Sequence, residues 1–164
     1  MEKKYKLTEE TKKWCGRTLH RIEALKDFGN VKAGDKGGWI EKEENLSHQG
    51  DAWVYGSACV SGEACIYGEA CVSDSACVSG SARVFDCARV SDSADYIVFK
   101  NWWSSGRYFT WTRSNNMWKV GCFYGTGEEL IKKAYADSEK SGREYERVVK
   151  YVESILADEK ENKE

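Results

Sequence analysis

The chain has 164 residues, and its 25 Lys and Arg nearly balance 27 Asp and Glu, so a formal charge of -2 gives no broad field to gather nucleic acid or anionic lipid. No apolar run reaches the roughly 18 residues of a membrane span. The opening Met1-Glu2-Lys3-Lys4-Tyr5-Lys6 also lacks the apolar stretch of a secretion signal, which predicts a soluble, cytoplasmic protein.

Four segments follow in chain order: 1–38, 39–95, 96–157 and 158–164. The first holds "KYKL" and "RTLHRIEAL", a Gly29-Asn30 turn, and Gly34, Gly37 and Gly38 ahead of Trp39-Ile40. This predicts one or two strands with loops, acting as a β cap that shields backbone donors and acceptors at the exposed end of the next segment.

In the second segment, Val54, Val60, Ile66, Val72, Val78, Val84 and Val90 return at every sixth position. Ala52, Ala58, Ala64, Ala70, Ala76, Ala82 and Ala88 stand two residues ahead of them, and Ala94 continues the series. Residues two apart on a strand share a face, so each hexad offers one large and one small apolar side chain to an interior. Gly56, Gly62, Gly68, Asp74, Gly80, Asp86 and Asp92 follow the short strands, where a tight corner needs a residue tolerant of left-handed backbone. A fixed period of this kind is the mark of a parallel β-helix.

These hexads resemble the left-handed parallel β-helix family, and the resemblance implies triangular coils of roughly 18 residues stacked at about 4.8 Å. About three coils are expected, the first begun by Ile40 and Leu46 and interrupted by an insertion around Ser47-His48-Gln49-Gly50. Under that stacking, Trp53, Cys71 and Arg89 form one outward column, Cys59 and Cys77 a second, and Cys65 and Arg83 a third. The resemblance also implies a homotrimer, with the small, flat wall of Cys59, Ser61, Cys77 and Ser79 as its interface; a solvated wall is the alternative. Of the seven cysteines, Cys59, Cys65, Cys71 and Cys77 lie six apart with no histidine between them, which is not zinc-site spacing, and no metal or cofactor is expected.

After the hexads, "DYIVFK" reads as a strand, and "RYFTWTR" and "MWKVGCF" around Ser114-Asn115-Asn116 as a hairpin. Alternation puts Arg107, Phe109, Trp111 and Arg113 on one side. Two helices follow with capping boxes, Thr126 with Glu129 and Ser141 with Glu144. Tyr145, Val148, Val149, Val152, Ile155 and Leu156 make one apolar stripe that needs a partner, and the hairpin is the nearest. The charged tail from Asp158 to Glu164 is expected to be disordered. The fold class expected is therefore mainly β: a short left-handed parallel β-helix with an N-terminal β cap and a C-terminal hairpin plus two helices.

The whole layout, from "LHRIEALKDFGNVKAGDKGGWIEKEENLSH" through the hexads to "GCFYGTGEEL", resembles small hexapeptide-repeat proteins of phages and prophages. Three function classes are open. Hexapeptide-repeat acyltransferases use a histidine as general base, and of His20 and His48 the latter, beside a coil corner, is the candidate. A sponge for a nucleotide-type ligand would use Trp102, Trp103, Arg107, Tyr108 and Arg113, because bases stack on rings and phosphates pair with arginine; packing of the same aromatics as core is the alternative. A rigid scaffold would anchor a protein partner through Trp53, Tyr55 and Tyr67. The expectation taken forward is the scaffold: a non-enzymatic oligomer engaging a host or phage protein, possible targets including a component of host defence.

Overall fold

The repeat rhythm is realised as short parallel strands whose inward side chains form a sealed interior. The computed structural model describes residues 2–163; Met1, heading the expected cap, and Glu164, ending the expected tail, lie outside the described residues. Seven two-residue strands carry the hexads: β4 (Trp53–Val54), β5 (Cys59–Val60), β6 (Cys65–Ile66), β7 (Cys71–Val72), β8 (Cys77–Val78), β9 (Arg83–Val84) and β10 (Arg89–Val90). They pair in parallel, β4 with β7, β7 with β10, β5 with β8 and β6 with β9, and each partner lies 18 residues on. Upstream of the insertion the offset is 20, with Trp39 opposite Cys59 and Leu46 opposite Ile66. The two extra residues are thus absorbed within a single turn of the chain.

Every Ala and aliphatic residue of the beat from Ala52 to Val90 is at most 1% exposed. Each such valine contributes roughly 1.5–3 kcal/mol relative to exposure. Six corners, Gly56, Gly62, Gly68, Asp74, Gly80 and Asp86, have φ between 56° and 76°. Two expectations at the end of the beat are corrected. Asp92 is extended, with φ -139, and its side chain accepts from Ala94 N in a 3-10 turn; Ala94 consequently turns out to solvent.

The N-terminal segment forms a long hairpin, β1 (Tyr5–Trp14) and β2 (Arg17–Ala24), closed by Cys15 and Gly16 at φ 46° and 76°. β2 pairs antiparallel with β3 (Lys36–Ile40), and β3 pairs parallel with β5, so one wall of the stack becomes a five-stranded sheet ordered β1-β2-β3-β5-β8.

Past the stack, the expected hairpin is the middle of a four-stranded antiparallel sheet: β11 (Tyr96–Lys100), β12 (Tyr108–Thr112), β13 (Met117–Val120) and β14 (Phe123–Gly125). Alternation divides its faces. Tyr96 and Val98 pack on the stack interior, whereas Ile97, Phe99, Phe109, Trp111 and Trp118 meet the helices α1 (Gly127–Asp137) and α2 (Glu139–Glu161). The side toward the stack closes its last turn through side chains. Tyr96 Oη accepts from Ser79 N at 3.3 Å and donates to Cys77 O at 3.0 Å, Thr110 Oγ1 accepts from Arg83 N at 2.9 Å, and Ser114 Oγ from Arg89 N at 2.8 Å.

Thr126 and Glu129 form the expected box on α1. For α2 the expected cap is corrected: Ser138 Oγ accepts from Ser141 N, so the helix starts a turn earlier and Ser141 lies inside it. Gly142 allows this, because a Cβ there would stand 2.2 Å from the Tyr135 ring of α1. The expected disordered tail is corrected as well, since α2 runs to Glu161 and Glu159 pairs with Arg113. Among the described residues no helix is long and apolar enough to cross a membrane. The architecture is mainly β, with many short strands in several sheets and two C-terminal helices.

Candidate ligand-binding trough

Beside the wall built by β6 and β9, the C-terminal sheet leaves a trough. One cavity of about 470 Å³ is lined by Glu63, Ser81, Arg83, Arg107, Tyr108, Gly121 and Cys122. A second of about 430 Å³ shares Arg83, Gly121 and Cys122 and adds Glu44, Ser47, Cys65, Ile66, Tyr67 and Lys119. A third of about 230 Å³ shares Arg107, Tyr108 and Gly121 and reaches Asn101, Ser104, Asp137, Ser141 and Tyr145. The shared residues make the three contiguous.

Each cation in the trough is placed by a separate element. Arg83 stands directly below Cys65 in its ladder, and Thr110 fixes its backbone. Arg107 ends the turn of residues 101–107, and Lys119 comes from β13, just before the Gly121 turn at φ 55°. Burial, with Arg83 nearby, holds the Lys119 ammonium below its usual range, while Cys122 opposes the shift. Its Nζ lies 5.0 Å from the Phe85 ring centre, and Phe85 in turn tilts against Tyr67 at 4.5 Å. Arg83, Arg107 and Lys119 form no ion pair among the described residues. Of the acids at the rim, Glu63 is engaged by Lys42 at 2.6 Å. Arg83 shares one cavity with Arg107 and the next with Lys119, so paired cations can receive an anion in a trough that also carries Glu44, Glu63 and Asp137.

The residues singled out by sequence scatter. Arg107, Tyr108 and Tyr67 line the trough. Arg113 does not: it pairs with Glu159, and its Nε donates to Ala94 O at 3.2 Å, tying the exit from the stack to the end of α2. Trp103 is half-buried, edge-on to Tyr145 at 4.9 Å, and belongs to the helix-side core; Trp102 is 68% exposed. Trp53, expected as an exposed anchor, is 1% exposed because Tyr5 and Phe28 fold over it with ring centres at 6.1 and 5.2 Å. Tyr55 is half-buried against the stack interior. On the wall expected to meet another subunit, Cys59 and Ser61 are already buried within the chain, while Cys77 is half-buried and Ser79 exposed. Burial beside Cys59 holds the Cys77 thiol above its usual range. Lys119 and Gly121-Cys122 were not singled out in the sequence as ligand-facing. For Arg83 the visible signal is the Cys65-to-Arg83 change within one ladder slot.

His48 lines a further cavity of about 360 Å³ that shares Glu44 and Ser47 with the second, and its ring stacks on Tyr5 with ring centres 4.3 Å apart. Its Nδ1 accepts from Lys4 N at 3.2 Å, so in the neutral ring the proton sits on Nε2, which is buried and 4.0 Å from Glu43 Oε2. Burial holds the ring below its usual range, against the pull of Glu43. In this tautomer the one lone pair of the neutral ring lies on Nδ1 and is engaged by Lys4 N–H. The neighbouring Lys4 is 1% exposed; its Nζ donates to Gly50 O at 3.1 Å and Ala52 O at 2.7 Å. Burial pushes its pKa down to about 8. Tyr5 Oη donates within reach of Glu43 O at 2.9 Å and Leu46 O at 2.8 Å. Lys4 and Tyr5 thus serve carbonyls of the first turn of the stack, among which Glu43 O also accepts from Leu46 N at 3.2 Å. Among the described residues no group of three or more His, Cys, Asp or Glu is placed to hold a metal ion.

No protein-family model matches the chain. Among curated proteins, the uncharacterized acetyltransferase YdcK of Escherichia coli (strain K12) is 36% identical over 61 residues, covering 32% of this chain and 19% of that protein. The chain therefore spans about a fifth of the length of this relative. The match points toward an enzyme and corrects the expectation of a non-enzymatic protein.

Proposed function

We propose that this chain is an acetyl-transfer protein of the hexapeptide-repeat kind, its stack a left-handed parallel β-helix of about three coils, with the trough as the seat of an anionic acyl donor. The observation that carries this reading is the convergence of Arg83, Arg107 and Lys119, none in an ion pair among the described residues, on cavities running along one wall of the stack. The match to a protein named as an acetyltransferase supports it. A donor whose leaving group bears phosphates meets Arg83 with Arg107 in one cavity and with Lys119 in the next, while the Tyr67 ring offers apolar contact to an uncharged acyl arm. Transfer to an amine or hydroxyl also needs a proton acceptor. His48 lines the adjoining cavity, with the lone pair of its neutral ring held by Lys4 N–H; the carboxylates of the trough itself are Glu44, Glu63 and Asp137.

Calorimetric titration with acetyl-CoA tests the reading. Binding is expected in wild type, with about tenfold weaker affinity in Arg83→Ala, equivalent to loss of one charge-assisted contact. Absence of binding, or an Arg83→Ala variant that binds equally well, overturns it. A second reading, a rigid body engaging a protein partner, is favoured by the exposure of Trp102 alone. Recovery of one defined partner from host lysate by wild type, and its loss with Trp102→Ala, is the outcome expected of that reading.

A further inference from the structure

Tyr108 differs from its strand neighbours in a way that packing does not explain. Phe109, Thr110 and Trp111 are each at most 2% exposed, whereas Tyr108 is 49% exposed. Its ring borders both the 470 Å³ and the 230 Å³ cavities, at their junction beside Arg107. Lys100, opposite it on β11, holds its Nζ 5.8 Å from the ring centre.

The turn that delivers this ring is fixed before anything binds. Asn101 is 5% exposed, and its Oδ1 accepts from Ser104 N at 2.9 Å and Ser104 Oγ at 3.1 Å. Its Nδ2 donates to Tyr145 Oη at 3.2 Å, its backbone N–H to Arg107 O at 2.8 Å, and its backbone O accepts from Gly106 N at 2.8 Å. One buried side chain therefore ties the turn to α2 and closes it on itself. A ring held in place in this way loses little freedom when a ligand lies on it.

Resting on the trough reading above, we propose that Tyr108 is the residue that makes the trough selective for anions carrying a planar ring, the ring of a nucleotide stacking on it while Arg83 and Arg107 take the phosphates. Stacking on an aromatic side chain tolerates any base and adds a term that phosphate contacts alone do not supply. Specificity for the ring and attraction for the charge are thereby assigned to different residues.

The test compares adenosine 5′-triphosphate with inorganic tripolyphosphate, similar in charge and different in the ring, by titration of the full chain. Wild type is expected to prefer the nucleotide by about tenfold, Tyr108→Ala to lose that preference while keeping its affinity for tripolyphosphate, and Tyr108→Phe to retain it. Trp102→Ala, an exposed ring that borders none of the three cavities, serves as control. Equal affinity of wild type for both probes, or loss of the preference in Trp102→Ala instead of Tyr108→Ala, overturns the assignment of Tyr108 and leaves the trough reading standing. Failure of wild type to bind either probe overturns both.

Discussion

The two ends of the stack face the same problem and solve it with opposite chemistry. At the first turn, the exposed groups served by side chains are carbonyls, and the partners are donors: the buried Lys4 ammonium on Gly50 O and Ala52 O, and the Tyr5 hydroxyl near Leu46 O and Glu43 O. At the last turn, they are mainly N–H groups, received by the hydroxyl oxygens of Tyr96, Thr110 and Ser114. A stack of parallel strands leaves unpaired backbone at each end, so an end open to solvent would template association with other chains. The difference is one of cost. The first end uses a charge stripped of water, which ties its stability to pH; Thr110 and Ser114 use neutral hydroxyls. Both ends contribute to the trough, Glu44 and Ser47 from the first turn and Arg83 from the last.

Both caps presuppose the sealed interior between them, so the largest effect comes from breaking it. Val72, fully buried in the middle of its ladder, lines that interior. Val72→Asp is expected to destabilise the protein by about 3–5 kcal/mol, through an unpaired buried carboxylate. Both ends should be lost in one urea transition. Two separate transitions would show that the ends do not share a core.

Next in size is Lys4→Met, which leaves Gly50 O and Ala52 O without their donor. A loss of about 2 kcal/mol is expected by urea denaturation, the relief of a desolvated charge offsetting part of the penalty. The same group sets a pH dependence. Its pKa is about 8 when folded against 10.5 for the free side chain, so between those values the unfolded chain holds more protons and stability rises with pH. Below pH 8 the cost of the buried charge is present in full. Across pH 7.5 to 9.5, below most tyrosine ionisation, wild type should gain on the order of 1–2 kcal/mol relative to Lys4→Met. Parallel stability profiles for the two would show that the ammonium is not desolvated.

The comparison also shows what was legible in the residues. The sixth-residue beat with alanine two ahead, and Gly or Asp at the corners, specify interior, ladder partners and turns locally, and the pairing of residues 18 apart matches them. Neither cap could be read in this way. Trp53 faces outward from its own strand, as alternation requires, yet Tyr5 and Phe28 arrive from far along the chain to cover it. Lys4 reads as one charge in a charged N-terminus until Gly50 and Ala52 are brought to it. At α2 two serines compete as cap. Ser141 has the glutamate of a capping box, but Gly142 lets α1 and α2 approach closely enough for Ser138 to win. The trough follows the same rule: Arg83, Arg107 and Lys119 come from three segments and meet only because the last turn of the stack sits on the sheet.

The hydroxyls of the last end should not contribute equally. Thr110 is 1% exposed, so Thr110→Val, nearly identical in shape, leaves Arg83 N without a partner and is expected to cost about 1–2 kcal/mol. Ser114 is exposed, and in Ser114→Ala water can replace the lost acceptor for Arg89 N, so about 0.5 kcal/mol or less is expected. Amide hydrogen exchange separates the cases: the Arg83 amide should lose most of its protection in Thr110→Val, and the Arg89 amide only a little in Ser114→Ala. Equal losses at the two sites would mean that the sheet seats the whole last turn as one unit. The greater loss at Arg83 would locate the firm contact under the trough, where a misplaced backbone would carry the arginine away from the anion it is proposed to hold.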